Sequence, residues 1–381
     1  MTSVLPPPHT SERIGLVEPL IGQEEFDAVA RVLRRGQLAQ GPEVEAFERE
    51  FAAAIGTKHA VALSSGTAAL HAALVAAGIG DGDEVLTTPF TFAATATPIL
   101  MQRAMPRFVD IDEATFNVDA RAYAKAATST TRAVVAVDLF GLPFDAAGLE
   151  TLRARGIAIV EDACQAVGAA RAGRTAGTLG DAGCFSLYAT KNIMTGEGGM
   201  LTTADEEIAA CARRFRQHGQ GERYEYLSLG YNYRMTDISG AIGREQLRRL
   251  PLVTQRRREN AATYDRCLQG IAGVRIPPVP AGVEHAYHQY TILIDDARTA
   301  NGASRDDVRR KLSEQGIATG VYYPAPLHVN PLFARLGYAR GDFPVAERIA
   351  SQVLALPVHP GLAQSAVERV ARAVIAAVTQ S

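Results

Sequence analysis

Three short segments of this chain carry residue types that can do chemistry together. The first, Ser64-Ser65-Gly66-Thr67-Ala68-Ala69, joins an apolar run to a series of strong helix formers. Small residues at such a junction let backbone N–H groups approach an anion at a helix N-terminus. The same residues also serve as a plain helix cap. The segment is no P-loop, because Gly-x-x-x-x-Gly-Lys-Ser/Thr is absent. The second segment is Val160-Glu161-Asp162-Ala163-Cys164-Gln165, an apolar run ending in two carboxylates. In a parallel sheet, ligands sit beyond the carboxyl ends of the strands, and Asp162 is placed for that edge. Taken alone, a strand-ending acid reads equally as a metal ligand, a helix cap or a solvated turn. The third segment is Phe185-Ser186-Leu-Tyr-Ala-Thr-Lys191-Asn192, followed by Thr195-Gly-Glu-Gly-Gly199. A lysine that attacks a carbonyl must first lose its proton, and partial desolvation or a nearby cation permits that. An isolated loop lysine is otherwise simply solvated. The chain has only four lysines, Lys58, Lys125, Lys191 and Lys311, so lysine chemistry has few candidates.

Together the three segments say more than each does alone. An anion cradle, a strand-end aspartate and a later lysine are the parts that pyridoxal phosphate requires. That cofactor is an electron sink whose ring nitrogen wants an acidic partner and whose aldehyde wants a lysine. On this reading Asp162 holds the ring nitrogen protonated and Lys191 forms the Schiff base. No metal site is expected.

The elements that must position these residues follow from periodicity and breakers. Helical spacing covers Gln23–Arg35 and 44–55. His59–Leu63 is a short apolar strand, and the run 68–77 is a helix stopped by Gly78. Strands are expected at 83–88, 107–109, 133–137 and 157–160, alternating with helices at 92–102 and 146–155. Such alternation of apolar strands and helices argues a mostly parallel sheet covered on both faces. Beyond Ala163, strands at 184–188 and 200–203 flank the glycine-rich turn. Helices follow at 204–217, 236–250 and 253–268, the last two meeting near Pro251. Ile276-Pro-Pro-Val-Pro280 is a plausible boundary. A strand at 289–294 and helices at 305–315, 345–353 and 367–378 complete the pattern. The expected division is a flexible arm over 1–15, a large domain over 16–250 and a smaller α+β domain over 251–381.

With 381 residues, 47% apolar and 21% charged, the chain can build a sizeable core. A net charge of −2 gives no basic face for nucleic acid. No run of apolar residues is long enough for a membrane span. The Pro-rich start, Met1 to His9, lacks the pattern of a signal peptide. Cys164, Cys184, Cys211 and Cys267 form no Cys-x-x-Cys pair and read as buried small hydrophobes in a reducing compartment, with a single catalytic cysteine left open. These features lead us to expect a cytoplasmic protein. Gly177-Thr-Leu-Gly180-Asp-Ala-Gly183 raises a dinucleotide oxidoreductase as a rival. It precedes a strand rather than following one, so the required context fails.

The chain resembles the DegT/StrS sugar aminotransferases, within the fold-type I pyridoxal phosphate enzymes. The resemblance runs from Leu38-Ala-Gln-Gly-Pro42 through Ser65-Gly-Thr-Ala-Ala-Leu70, Pro89-Phe-Thr-Phe-Ala93 and Glu161-Asp162-Ala-Cys-Gln165. It continues through the Lys191 segment, Gly230-Tyr-Asn-Tyr-Arg-Met-Thr-Asp237, Tyr287-His-Gln-Tyr290, Pro326-Leu-His328 and Leu354-Ala-Leu-Pro357. Pro89 stands where many relatives have serine, and Cys164 where many have alanine. The resemblance implies that Gly66, Thr67, Ala68 and Ser186 hold the cofactor phosphate. It implies that Phe92 stacks on the ring, Asp162 pairs with the ring nitrogen, Gln165 bonds the ring hydroxyl and Lys191 is the Schiff-base lysine. It places Asn232 at the phosphate of a neighbouring subunit's cofactor, in a homodimer with shared active sites. Tyr322, Tyr323, His328 and Arg234, with His218, are candidates to line a sugar pocket. The implied reaction carries an amino group from L-glutamate to a nucleotide-linked keto-deoxysugar, with pyridoxamine phosphate as the intermediate cofactor form. The turn Lys191-Asn-Ile-Met-Thr-Gly-Glu-Gly-Gly199 is similar to that of members acting at C-4 of a dTDP-4-keto-6-deoxyhexose. A 3-keto sugar, a keto-inositol and a regulatory, non-catalytic role are the alternatives.

Overall fold

A computed structural model describes residues 13–380. Seven strands form the central sheet: β1 (His59–Leu63), β2 (Glu84–Thr87), β3 (Met105–Phe108), β4 (Thr131–Val137), β5 (Ala158–Asp162), β6 (Ala182–Ser186) and β7 (Gly199–Thr203). Their spatial order is β1-β7-β6-β5-β4-β2-β3. β3, β2, β4, β5 and β6 pair in parallel, and β7 runs antiparallel to both β6 and β1. The sheet is mostly parallel, as the alternation of strands and helices requires. Period-two alternation loads both faces. Val134, Ala136 and Ile159 enter one apolar cluster, while Ala133, Val135 and Val160 enter another on the opposite side. Each fully buried aliphatic side chain contributes about 1.5–3 kcal/mol.

Helices α1 (Gln23–Arg35), α2 (Pro42–Ile55), α3 (Gly66–Ala76) and α4 (Glu206–Phe215) fall where the spacing places them. Helix α3 ends one residue before Ala77, and Gly78 turns the chain at φ +71°. That left-handed angle is open to glycine at no steric cost. Two expected helices are shorter than their composition suggests. The 92–102 segment splits into a 3₁₀ turn at Ala93–Thr95 and a short helix at Thr97–Met101, with Pro98 in the first turn. Of 146–155, only Glu150–Arg153 is helical.

The break expected at Pro251 does not occur. Helix α5 runs unbroken over Asp237–Leu268 with Pro251 inside it. A proline there removes one backbone hydrogen bond and costs about 3 kcal/mol. Buried residues on both sides of it, Leu247, Val253, Ala261, Tyr264 and Leu268, hold the helix on course. A domain division at residue 250 therefore cuts a single element. Pro251 itself is exposed. Pro251→Ala should restore the missing N–H donor and raise stability by about 1–2 kcal/mol after the entropy it returns to the unfolded chain. Denaturant unfolding would show this as a higher midpoint at unchanged slope.

The last third of the chain builds a second sheet from β8 (Val274–Arg275), β9 (Tyr290–Ile294) and β10 (Val353–Leu356), in the order β8-β9-β10. It is packed by α6 (Arg305–Glu314), α7 (Pro344–Gln352) and α8 (Gln364–Thr379). Its apolar cluster takes in Ala261, Tyr264, Tyr290, Ile292, Val308 and Val374. Ile14 is buried in the same cluster and bonds through its backbone to Gly316 and Ala318. The expected arm thus does not reach residue 15; its first twelve residues lie outside those described.

Candidate active site

A cavity of about 630 Å³ opens at the carboxyl ends of the parallel strands, between the two sheets. Strand β5 delivers Asp162 to it. Alternation sends the adjacent carboxylate the other way. Glu161 is fully buried on the opposite face, where it accepts the Gly177 and Leu179 N–H groups at 2.6 and 2.8 Å. The glycine-rich stretch that raised a dinucleotide site therefore wraps a buried acid. Asp162 is fixed from two sides. Its Oδ2 accepts the Thr95 hydroxyl at 2.7 Å, and its Oδ1 accepts the Cys164 N–H at 3.2 Å. Thr95 is linked in turn to Thr91 at 2.8 Å.

Ser65, at the N-cap of α3, is extended and accepts the Ala68 N–H at 3.1 Å. The amide of Ala68 is thus engaged by the cap, and Ala68 is not on the cavity wall; Gly66 and Thr67 are. Gly66 sits where a side chain would not fit. A Cβ there would lie 2.9 Å from both Cys164 Sγ and Ser186 Cβ. Backbone, Ser186 hydroxyl and a helix N-terminus with no acidic residue in its first turn converge at this point, which suits a phosphate. Gly66→Ala should therefore weaken cofactor affinity about tenfold or more, because one clash of this kind costs about 1–3 kcal/mol. Fluorescence titration of the apoenzyme with cofactor would read it.

Lys191 follows β6 on the same wall, its N–H donating to the Tyr188 carbonyl. Burial lowers the pKa of its ammonium, while the Cys164 thiol and the Asp162 carboxylate pull it partly back. Across the cavity stand Phe92 and Tyr323, ring centroids 6.4 Å apart. Gln165 is locked: its Oε1 accepts the Phe140 N–H at 2.8 Å, and its Nε2 donates to the Tyr323 hydroxyl at 3.2 Å. Burial raises the Tyr323 pKa, so its phenol stays neutral. Tyr322 lines the cavity as well.

Other expected residues lie elsewhere. His328 is fully buried away from the cavity, its Nε2 2.9 Å from Glu347 and its ring edge-on to Phe343. It packs the loop rather than lining the pocket. Arg234, His218 and Asn232 are not on this chain's cavity wall. The cysteines are only partly as expected: Cys184 is buried, while Cys164, Cys211 and Cys267 are half-buried, and all four are free. Burial, with the neighbouring Asp162 carboxylate, pushes the Cys164 thiol well above its ordinary value. Composition and motifs missed Thr95, His288 and Gln289. His288 and Gln289 line the cavity, and His288 Nδ1 and Gln289 Oε1 are buried without a hydrogen-bond partner among the described residues. The Tyr287-His-Gln-Tyr290 block held that signal, but nothing in one sequence says which of its side chains face inward.

Comparison with known proteins decides the identity of this arrangement. The model of the DegT/DnrJ/EryC1/StrS aminotransferase family matches residues 19–375. The chain belongs to that family. It is a sugar aminotransferase, and its cofactor is pyridoxal 5′-phosphate. The spore coat polysaccharide biosynthesis protein SpsC of Bacillus subtilis is 41% identical over 371 residues, spanning 93% of this chain and 95% of that one. A UDP-N-acetyl-3-dehydro-alpha-D-glucosamine 3-aminotransferase of Acidithiobacillus ferrooxidans is 37% identical, over 91% and 92% of the two chains. The crystal structure of S. venezuelae DesV in complex with a ketimine intermediate superposes with a TM-score of 0.88. It is 37% identical, over 92% of this chain and 93% of that one. Among the described residues of this DegT/StrS aminotransferase, no helix is long and apolar enough to cross a membrane.

Proposed function

We propose that this aminotransferase moves an amino group from L-glutamate onto C-4 of a nucleoside-diphosphate-linked 4-keto-6-deoxyhexose, with dTDP as the carrier. The observation that supports C-4 is the turn after the lysine. Glu197, within Lys191-Asn-Ile-Met-Thr-Gly-Glu-Gly-Gly199, stands on the cavity wall with Lys191. Turn length and that acid bear on which ring carbon reaches attack distance, where a small misplacement is costly. The Acidithiobacillus relative supports a second reading, a 3-keto sugar. The test offers the 4-keto isomer, the 3-keto isomer and scyllo-inosose in parallel, with NMR of the aminated product. Amination of only the 3-keto sugar, or only of the inosose, overturns the C-4 proposal and leaves the enzyme class standing.

In this proposal Gly66, Thr67 and Ser186 hold the phosphate, Asp162 the ring nitrogen and Lys191 the aldehyde carbon. The bound cofactor supplies an electron sink for the bond broken at the donor's Cα. Asp162, held in place by Thr95 and the Cys164 N–H, would pair with the ring nitrogen. Lys191 Nζ takes the proton from the donor's Cα and returns it on the other side of the same transfer. Its lowered pKa increases the neutral share that can act as a base. Gln165, tied to Phe140 and Tyr323, orients the ring hydroxyl. Phe92, on the cavity wall, would stack on the ring.

The same proposal makes the enzyme a homodimer with shared sites. Asn232 is exposed and absent from its own chain's cavity. Beside it, Tyr224, Tyr226, Leu227 and Leu229 are each more than half exposed, an apolar loop suited to a partner. Mixed Lys191→Ala and Asn232→Ala subunits should regain activity, since each heterodimer carries one intact site. Exchange of subunits without recovery would contradict sharing.

A further inference from the structure

A second cavity of about 410 Å³ adjoins the first, between β9, the end of α5 and the turn at Leu139–Gly141. One wall is apolar, from Phe116, Leu139 and Phe140. The other is polar and unfinished. Thr291 is only 7% exposed, yet its Oγ1 has no hydrogen-bond partner among the described residues. Gln289 Oε1 is likewise buried and unpartnered. Both line the cavity, and a buried polar atom left unmet is costly. Asp265 projects from α5 into the same space and accepts the Tyr290 hydroxyl at 2.7 Å on Oδ1. His285 accepts the Tyr287 N–H on Nδ1 at 2.8 Å, which leaves Nε2 of the neutral ring as a donor.

The chemistry of these groups selects a ligand class. Acceptors dominate and one of them is a carboxylate, while among the described residues no lysine or arginine lines the cavity. A phosphate or a nucleotide would find no cation there. A simple hydrocarbon would leave Thr291 and Gln289 unmet. The volume lies at the lower end of the range for small-molecule sites. We propose that this cavity binds a polyhydroxylated primary amine of amino-sugar size, with its ammonium on Asp265 and its hydroxyls on Gln289 Oε1 and Thr291 Oγ1. Gln289 lines both cavities, so the ligand would touch a residue of the Lys191 site without entering it.

Saturation-transfer NMR on the holoenzyme, with D-glucosamine as probe and D-glucose as its uncharged control, tests this. Glucosamine should bind saturably and glucose about tenfold more weakly, the usual worth of a charge-assisted hydrogen bond. Asp265→Asn, which keeps an acceptor for Tyr290, should weaken glucosamine about tenfold. The isosteric Thr291→Val should weaken it several-fold while the protein stays folded. Absence of saturable binding, equal binding of the two sugars, or wild-type affinity in Thr291→Val would overturn the proposal.

Discussion

Lys191→Ala should lose about 10⁴-fold or more in transamination rate, because in the proposed mechanism it removes both the covalent attachment and the base that moves the Cα proton. The protein itself should remain folded. Lys191 is half-buried and holds its loop through its backbone N–H, so alanine leaves the hydrogen bond to the Tyr188 carbonyl intact. The phosphate cradle and Asp162 are untouched, so the cofactor should still bind, now released by dialysis or gel filtration where the parent retains it. Added methylamine should restore a small part of the rate. A variant that kept more than about one hundredth of the parent rate would show that Lys191 is not the base the geometry suggests.

Asp162→Ala should lose about 10³-fold in rate, and Asp162→Asn nearly as much. The asparagine variant separates charge from shape. Its side chain still accepts the Thr95 hydroxyl and fits the same space, so the fold and the Thr91–Thr95 link persist. What disappears is the negative charge that, in the proposed mechanism, favours a protonated ring nitrogen. Equal, severe losses assign the effect to charge. Near-normal activity in the asparagine variant would mean that Asp162 serves only as a hydrogen-bond acceptor for Thr95. Steady-state rates with L-glutamate and a keto sugar, beside thermal unfolding of both variants, settle which holds.

Much of the scaffold was legible because its signals are local. Strands β4 and β5 are apolar runs, and the serine before α3 and the glycine after it are direct start and stop marks. The three chemical segments were legible for the same reason, and the structure brings Thr67, Asp162, Ser186 and Lys191 to one cavity. Other features depend on what lies across the fold. Pro251 reads as a breaker from its own chemistry, but the packing of Leu247, Val253 and Tyr264 outweighs one lost hydrogen bond. His328 reads as a pocket residue from its loop, but Glu347, nineteen residues on, captures it. Ile14 reads as part of an arm until Gly316 and Ala318 pair with it. Thr95 acquires its role only because β5 ends opposite it. Asn232 lies exposed and off its own chain's cavity, and the proposed shared site rests on that position.

Mass mapping after borohydride reduction of the holoenzyme tests the central claim most directly. Reduction fixes the pyridoxyl group on whichever lysine holds it, and the chain offers four. The geometry predicts one modified peptide, carrying Lys191, with loss of the visible absorbance and of activity in step. A pyridoxyl group found instead on Lys58, Lys125 or Lys311 would contradict the account.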